Sequence, residues 1–418
     1  MDSVCDRPGG LLPLTEARRR LLEGLHPIQR VLKIPAADAL GRILADSLLA
    51  PIPFPPFANS AMDGYAVRAV DALPGAQLRR VGSIMAGAAP ISELGPGECI
   101  RIFTGAPIPH GADAVVVQEL VTCDGDLIRL DLSEPLRSGA NIRRQGEELE
   151  MGEVLLPSGT RIGPFELGLL AFAGLIEIPV RDQLCVGVLA TGDELIPPGE
   201  RLAPGQIHES NRPVLLGLIQ EMGHKAVDLG TVPDDFDGLR RALLGAHAGL
   251  DALITTGGAS EGDADFVARA LGDLGEVAFW KVAVKPGKPF VFGHLGAVPL
   301  FGLPGNPVSA AIIFLKLVKP ALEFLSGQGA QCPVTWHLPL KASIRRQPGR
   351  EEFMRGSLVN DEGGLGVMPL AHQGSHRLTS LSRGDCLIVL PSEVRSLEVG
   401  DCVNVELFRP VSWPLEVS

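Results

Sequence analysis

The feature that most constrains the fold is a regular exchange of strand-like and helix-like segments from about residue 184 to residue 327. Short apolar runs such as LCVGVLAT and DALITTGG alternate with amphipathic stretches such as NRPVLLGLIQEMG and DDFDGLRRALLGAH. Parallel neighbouring strands need a crossover connection, which is usually a helix. The alternation therefore predicts a central doubly wound, mainly parallel α/β domain over residues 183–328.

The segments on either side have different patterns. Proline-rich PIPFPP at 51–56 excludes helix interior, and short apolar runs separated by Gly, Pro and Asp follow to about residue 150. Helical periodicity occurs before this stretch in EARRRLLEGL and returns at 164–176. The predicted domains are a helical, elongated connecting domain (1–49 plus 150–182), a β-rich inserted module (50–149), the α/β domain, and a C-terminal β barrel (329–418).

Composition narrows the class of protein. A chain of 418 residues with 50 Gly and 35 Pro fits several loop-connected globular domains. A formal charge of −12 argues against a general nucleic-acid or membrane-surface binder. The sequence shows no signal-peptide pattern and no long apolar run, so we expect a cytoplasmic protein. Its 7 cysteines form no C-x-x-C pair, which favours reduced thiols over a zinc or redox site.

Two loops of the predicted α/β domain combine glycine with acids. TGDELIPPG and GGASEGDAD each follow a predicted strand, where ligands of doubly wound sheets bind. We predict Glu194 as a Mg²⁺ ligand in the first loop. In the second, backbone amides near Gly257, Gly258 and Ser260 are candidates for phosphate binding, and Asp265 for contacting the metal or orienting water. The alternative is that the acids cap turns and the glycines only permit a tight crossover.

Two further loops supply cations and a rigid turn. FWKVAVKPGKPF carries Lys281, Lys285 and Lys288, and lysine acts as a point charge for phosphate-like oxyanions. LPGNPVSAAIIF forces a turn directly into a helix, whose positive end is a candidate anion site. The alternatives are solvated lysines and a proline-stiffened helix start. The substrate-binding candidates in this second loop are Pro304, Gly305, Asn306, Pro307 and Ser309.

These four loops, in this order, resemble those of the molybdopterin molybdenumtransferase family, the bacterial MoeA-type enzymes related to the gephyrin E domain. The resemblance covers nearly the whole chain, because further strings match in collinear order. These strings are ALGRILA at 39–45, FANSAMDGYAVR at 57–68, RIFTGAPIPHGADAVVVQE at 101–119, NIRRQGEE at 141–148 and HQGSH at 372–376.

The resemblance implies an activity and an assembly. The activity is Mg²⁺-dependent insertion of molybdate into adenylylated molybdopterin with release of AMP, in which the substrate's dithiolene sulfurs take the molybdenum. The assembly is a homodimer with shared clefts, in which Asp63 and Thr104 face the α/β loops of the other subunit. Implied partners are molybdopterin adenylyltransferase and downstream molybdoenzyme maturation proteins. Further positions associated with activity are Glu148, Glu194, Asp234, Asp265, Lys281, Lys285, Pro304, Pro307, Arg355 and Ser375.

Three departures from the family strings occur. Ala58 stands where many members have Asp, GGASEGDAD replaces GGVSVGEAD, and Glu148 replaces an Asp. Two other functions are open. The related molybdopterin adenylyltransferase resembles only residues 184–327, so chain length and the DGYAV string disfavour it. A scaffold or pterin-carrier protein without catalysis is disfavoured by the intact acids and lysines.

Overall fold

The structure, a computed structural model, describes residues 11–88, 93–246, 249–258 and 266–411. None of the described helices is both long and apolar enough to span a bilayer. Short 3₁₀ turns and a π-helical turn at Phe314–Val318 supplement the α-helices. The α-helices are α1 (Leu14–Glu23), α2 (Pro164–Phe172), α3 (Asn211–Glu221), α4 (Phe236–Ala246), α5 (Phe266–Leu274), α6 (Pro307–Ile313), α7 (Lys319–Leu325) and α8 (Thr379–Arg383).

The strands fall into three stretches of the chain. The first comprises β1 (Val31–Pro35), β2 (Leu48–Leu49), β3 (Asn59–Ser60), β4 (Gly64–Val67), β5 (Gln77–Ile84), β6 (Glu98–Ile102), β7 (Ala114–Val117), β8 (Val121–Asp124), β9 (Leu127–Leu130), β10 (Ile142–Arg143), β11 (Val154–Leu156) and β12 (Glu177–Arg181). The second comprises β13 (Cys185–Thr191), β14 (Leu195–Ile196), β15 (Ile207–His208), β16 (Lys225–Val232), β17 (Ala252–Thr256), β18 (Glu276–Trp280), β19 (Val284–Lys285), β20 (Val291–Leu295) and β21 (Val298–Leu303). The third comprises β22 (Thr335–Pro339), β23 (Ile344–Arg345), β24 (Glu351–Asp361), β25 (Gly364–Pro369), β26 (Cys386–Leu390), β27 (Ser396–Leu397) and β28 (Cys402–Leu407).

The chain divides into two compact units. One consists of Asp46–Ser158 with Pro164–Ile176, and the other of the described residues among 1–45, 159–163 and 177–418. In the second unit, β1 pairs antiparallel with β12, so the segments before and after the first unit meet as strands. The predicted helical connecting domain is not confirmed, and the four predicted domain boundaries stay a prediction.

The first unit is β-rich, as the short apolar runs indicate. Its main sheet has the order β7-β4-β6-β5-β9-β8, in which only the β5–β6 pairing is parallel. Alternating strand residues supply two apolar clusters, because successive side chains point to opposite faces. Tyr65 and Val67 belong to one cluster and Ala66 to the other.

The second unit contains the doubly wound α/β sheet that the strand and helix alternation predicts. The strand order is β16-β13-β17-β21-β20-β18, with parallel pairing as far as β21 and antiparallel pairing beyond it. Alternate residues bury opposite faces: Ile254 packs in the cluster that contains α3, and Leu253 in the cluster that contains α4 and α5. The antiparallel end arises because only Gly296 and Ala297 separate β20 from β21, too few for a crossover.

The C-terminal strands form a second sheet of this unit. Its order is β19-β24-β26-β28-β22, and β25 pairs with the C-terminal part of β24 outside this order. A single parallel bridge between Leu340 and Val367 links the end of β22 to β25. Since one bridge rather than a full ladder makes this link, the closed C-terminal barrel stays a prediction. Strand β19 carries part of the lysine loop into this sheet by pairing parallel with β24.

The half-buried His224, just before β16, predicts a pH dependence of stability. Burial, aided by the charge of Arg161, lowers the pKa of His224 from 6.5 to about 4. The unfolded chain therefore binds a proton that the folded chain does not, and stability is lost as pH falls from about 6.5 towards 4. We expect this group to cost about 1–2 kcal/mol of unfolding free energy between pH 7.5 and 5. Urea unfolding of wild type and His224→Gln at both pH values measures it, and an equal loss in both proteins would contradict the assignment.

Candidate functional site

A cavity of about 910 Å³ lies at the carboxyl ends of β13, β17 and β21. This is the edge of a doubly wound sheet where ligands bind. Each of the four loops predicted to carry chemistry contributes to it, and the lysine loop contributes Lys288 and Pro289. The described lining residues are Thr191, Glu194, Leu195, Ile207, His208, Glu209, Ser210, Asn211, Asp234, Thr256, Gly257, Gly258, Lys288, Pro289, Pro304, Gly305, Asn306, Pro307, Ser309, His376 and Leu378.

Close approach of two loops explains the paired glycines after β17. Gly257 has φ +88°, and a Cβ there would lie 2.2 Å from the carbonyl oxygen of Thr191. At Gly258, with φ +61°, a Cβ would lie 2.8 Å from the Thr191 hydroxyl oxygen. Side chains at these positions would meet both steric and backbone strain. The glycines therefore keep the ends of β13 and β17 in contact at the cavity wall.

Gly257→Ala is expected to destabilise the chain by at least about 2 kcal/mol, because the new methyl group meets backbone rather than a movable side chain. A matched control is Gly217→Ala in α3, where a Cβ meets nothing within 4 Å. This control is expected to be neutral or stabilising by up to about 1 kcal/mol. Denaturant unfolding of both variants checks the pair, and equal midpoints would show that the loops separate freely.

Acidic side chains gather at the exposed rim of the cavity. The backbone amide of Asp234 donates to Oδ1 of Asp193 at 3.0 Å, and Glu194 is next in the chain. Partial burial, followed by the charges of Glu194 and Asp193, raises the pKa of Asp234. Like charges so close favour a bound cation, which would relieve their repulsion.

The carboxylates at the cavity fit a Mg²⁺ ion that receives only part of its coordination shell from the protein. Within the described residues, no group of three or more His, Cys, Asp or Glu side chains is placed to hold a metal alone. Glu194 and Asp234 both line the cavity and offer hard carboxylate oxygens. Mg²⁺ commonly uses one or two carboxylates and completes its shell with water and substrate phosphates. Asp265 and Ser260, predicted for the metal and for phosphate, lie outside the described residues.

The three predicted lysines are not brought together. Among the described lining residues, Lys288 is the lysine present. Lys285 Nζ instead forms an ion pair with Glu352 at 3.0 Å, which follows from the pairing of β19 with β24. Lys281 has φ +68°, and its backbone bonds to Phe290 and to Leu12 near the start of the described chain. The lysine loop therefore contributes residues to the cavity lining and also connects the cavity to neighbouring elements of the fold.

The rigid turn before α6 is held from two sides. The Thr256 hydroxyl donates to the carbonyl of Pro304 at 3.1 Å. On the other side, the amide of Val308 donates to the carbonyl of Ser375 at 3.0 Å. All five candidates of this loop, Pro304, Gly305, Asn306, Pro307 and Ser309, line the cavity.

Arg355 lies behind the HQGSH loop rather than on the cavity wall. It is 1% exposed, and its guanidinium donates to Ser380 Oγ at 3.0 Å and to the Gly374 carbonyl at 3.3 Å. Burial lowers the pKa of Arg355 to about 10, so it remains a cation at neutral pH. The buried cation thus fixes the loop that presents the Ser375 carbonyl to α6 and His376 to the cavity.

The remaining predicted residues belong to the other compact unit. Both the amide and the hydroxyl of Thr104 donate to Oδ1 of Asp63 at 2.8 Å, and these bonds lower the pKa of Asp63. The amide of Glu148 donates to the carbonyl of Phe54 at 3.0 Å, which leaves its exposed carboxylate on a separate loop. Asp63 and Thr104 therefore form one local pair, and Glu148 is not hydrogen bonded to it.

Sequence reasoning missed several lining residues. Asn211, His208 and His376 line the cavity, although the sequence patterns around them predicted no binding role for these three residues. An Asn immediately before Arg-Pro at a helix start is typical of a capping position, so it gave no signal for a site. The available signal was the position of SNRPV one loop after TGDEL.

Comparison with known proteins covers both units. The chain matches, in order, the MoeA N-terminal region (domain I and II) over residues 12–174, the probable molybdopterin binding domain over 187–323 and the MoeA C-terminal region (domain IV) over 337–408. These matches account for most of the chain. They show a multidomain fold of the MoeA type.

Individual relatives match along nearly their full length. The chain is 40% identical over 404 residues to the molybdopterin molybdenumtransferase of Haemophilus influenzae, covering 96% of this chain and 99% of that protein. It is 35% identical over 391 residues to the Bacillus subtilis protein of the same name, covering 91% of each. A crystal structure of the molybdopterin biosynthesis MoeA protein from Pyrococcus horikoshii OT3 has a TM-score of 0.83 and 31% identity, covering 96% of this chain and 100% of that chain. The chain therefore belongs to the molybdopterin molybdenumtransferase family.

Proposed function

We propose that this transferase of molybdenum cofactor biosynthesis inserts molybdate into adenylylated molybdopterin and releases AMP in a Mg²⁺-dependent reaction. The observation that carries the proposal is the cavity at the strand ends, where a close glycine wall, acidic side chains and Lys288 occur together. Its volume of about 910 Å³ is within the range of small-molecule sites. The names of the full-length relatives supply the reaction class.

The residues of the cavity support distinct tasks. Gly257 and Gly258 allow backbone to approach a phosphate closely, and Lys288 attracts oxyanions by its charge. Glu194 and Asp234 would hold Mg²⁺, which supplies charge neutralisation of the phosphoanhydride when bound. The described lining residues include no cysteine, in agreement with a metal that takes its sulfur ligands from the substrate. Positioning and charge stabilisation then supply most of the rate.

Release of AMP from adenylylated molybdopterin tests the proposal. With Mg²⁺ and molybdate present, we expect one AMP for each pterin that gains molybdenum. Leaving out molybdate or chelating Mg²⁺ is expected to reduce AMP formation to the uncatalysed rate. A folded protein that binds adenylylated molybdopterin without releasing AMP under the complete conditions would instead be a carrier.

We further propose that the active form is a homodimer with shared clefts. Helix α2 and the residues after it support this, because Phe165 is 89% exposed, Phe172 57% and Ile176 82%. Large apolar side chains exposed within such a short segment are typical of an interaction site. An adenylylating enzyme that delivers this substrate and proteins that accept the finished cofactor are the further partners proposed.

The dimer predicts two outcomes. Phe165→Asp with Ile176→Asp should convert the protein to a monomer in light-scattering measurements, because a buried unpaired charge is costly.

Mixed dimers of Asp63→Ala and Glu194→Ala subunits should recover part of the activity that each parent lacks. An unchanged mass in the first experiment, or inactive mixed dimers in the second, would count against the shared cleft.

A further inference from the structure

The side chain of Asn211 connects two walls of the cavity. This residue begins α3, and its Nδ2 donates to the hydroxyl oxygen of Thr256 and to the carbonyl of Gly305, both at 2.8 Å. The Thr256 hydroxyl in turn donates to the carbonyl of Pro304 at 3.1 Å. One amide thereby ties the end of β17 to the turn before α6.

This network fixes which way the amide points. The Gly305 carbonyl is an acceptor only, so it requires the NH₂ group, and the Thr256 hydroxyl has already given its proton to Pro304. A rotated amide would place two acceptor oxygens against each other. Oδ1 of Asn211 is therefore an acceptor of known orientation. It receives no donor from the described residues, and the half-buried side chain lines the cavity.

We infer that Asn211 is a substrate subsite as well as a positioning residue: Oδ1 accepts a hydrogen bond from an amino group on the substrate's heterocycle. This inference rests on the proposed function, since adenylylated molybdopterin carries amino groups on its pterin and its adenine. The nearby carbonyls of Pro304 and Gly305 are acceptors themselves, so neither can satisfy Oδ1. An acceptor held this firmly favours ligands that donate a hydrogen bond to it and disfavours ligands that cannot.

Binding of simple probes tests the subsite without turnover. One pair is AMP and purine riboside 5′-monophosphate, which lacks the 6-amino group, and the other is pterin and its analogue without the 2-amino group. By calorimetry, we expect the wild type to bind the amino-bearing member of one pair about 3- to 10-fold more tightly. The pair that shows the preference identifies which heterocycle meets Asn211.

Three variants separate the two roles. Asn211→Ala should abolish the preference, whereas Asn211→Asp keeps an acceptor and should retain it while losing the bond to Gly305 and therefore turnover. Asn404→Ala, an exposed Asn on β28, is the matched control and should behave as wild type. Circular dichroism verifies folding of each variant.

The outcomes distinguish this inference from the proposed function. No amino preference in the wild type, or a preference that persists in Asn211→Ala, overturns the subsite even if AMP release occurs. A wild-type preference that is lost in Asn211→Ala supports the subsite even if the AMP-release assay fails.

Discussion

Replacement of Glu194 by alanine is expected to lower the rate of AMP release at least about 100-fold while the protein stays folded. The carboxylate lines the cavity at its exposed rim, and its charge adds to the burial that raises the pKa of neighbouring Asp234. Removing it takes away a proposed ligand for Mg²⁺, and because the side chain is exposed, no buried void opens. The rate should be measured at limiting and saturating Mg²⁺, and high Mg²⁺ should restore part of the activity.

A control from the same loop tests whether the effect is local. Glu200 is exposed and lies six residues further on, outside the cavity lining. Glu200→Ala should therefore retain wild-type activity at both Mg²⁺ concentrations. If Glu194→Ala behaves like this control, the metal site does not include Glu194.

The second large effect is expected at Lys288. Lys288→Ala should raise the molybdate or substrate concentration needed for half-maximal AMP release about 10- to 100-fold, because an attractive charge near an oxyanion is lost. Lys285→Ala should have a smaller effect, since that side chain is 45% exposed and its ammonium is paired with Glu352. Lys288→Arg should restore the charge but only part of the function.

Titration of AMP release against molybdate ranks these variants. Melting temperatures within a few degrees of wild type would show that the ranking reflects binding and not unfolding. If the variants at Lys285 and Lys288 have equal effects, a place in the cavity lining does not identify the anion-binding lysine. If both variants behave like wild type, the anion site must be formed by other cationic side chains of the chain.

Local patterns predicted the part of the site that depends on strand ends. The TGDEL, GGAS and LPGNP loops each follow a buried parallel strand, and carboxyl ends of parallel strands meet at one edge, so convergence of Glu194, Gly257 and Pro304 was predictable. The antiparallel pairing of β20 and β18 at the end of the sheet was harder to predict from the sequence, because a two-residue connection looks much like any other glycine turn.

Contacts between distant segments could not be predicted. Nothing near Lys285 in sequence indicates that Glu352 will be its partner, because the pairing of β19 with β24 brings them together. Arg355 was predicted to be associated with activity, and its guanidinium is directed at Ser380 and Gly374. That arrangement depends on how the C-terminal sheet packs, which no local pattern encodes.

The pairing of β19 with β24 has a consequence for how this architecture can be modified. The loop that supplies Lys288 is also an edge strand of the C-terminal sheet, and the Ser375 carbonyl binds the first turn of α6. A fragment cut after residue 328 would lose both attachments while keeping every strand of the α/β sheet. Transplanting the α/β domain alone would therefore transfer the scaffold without its anchored loops, so a transplant must carry the C-terminal sheet along.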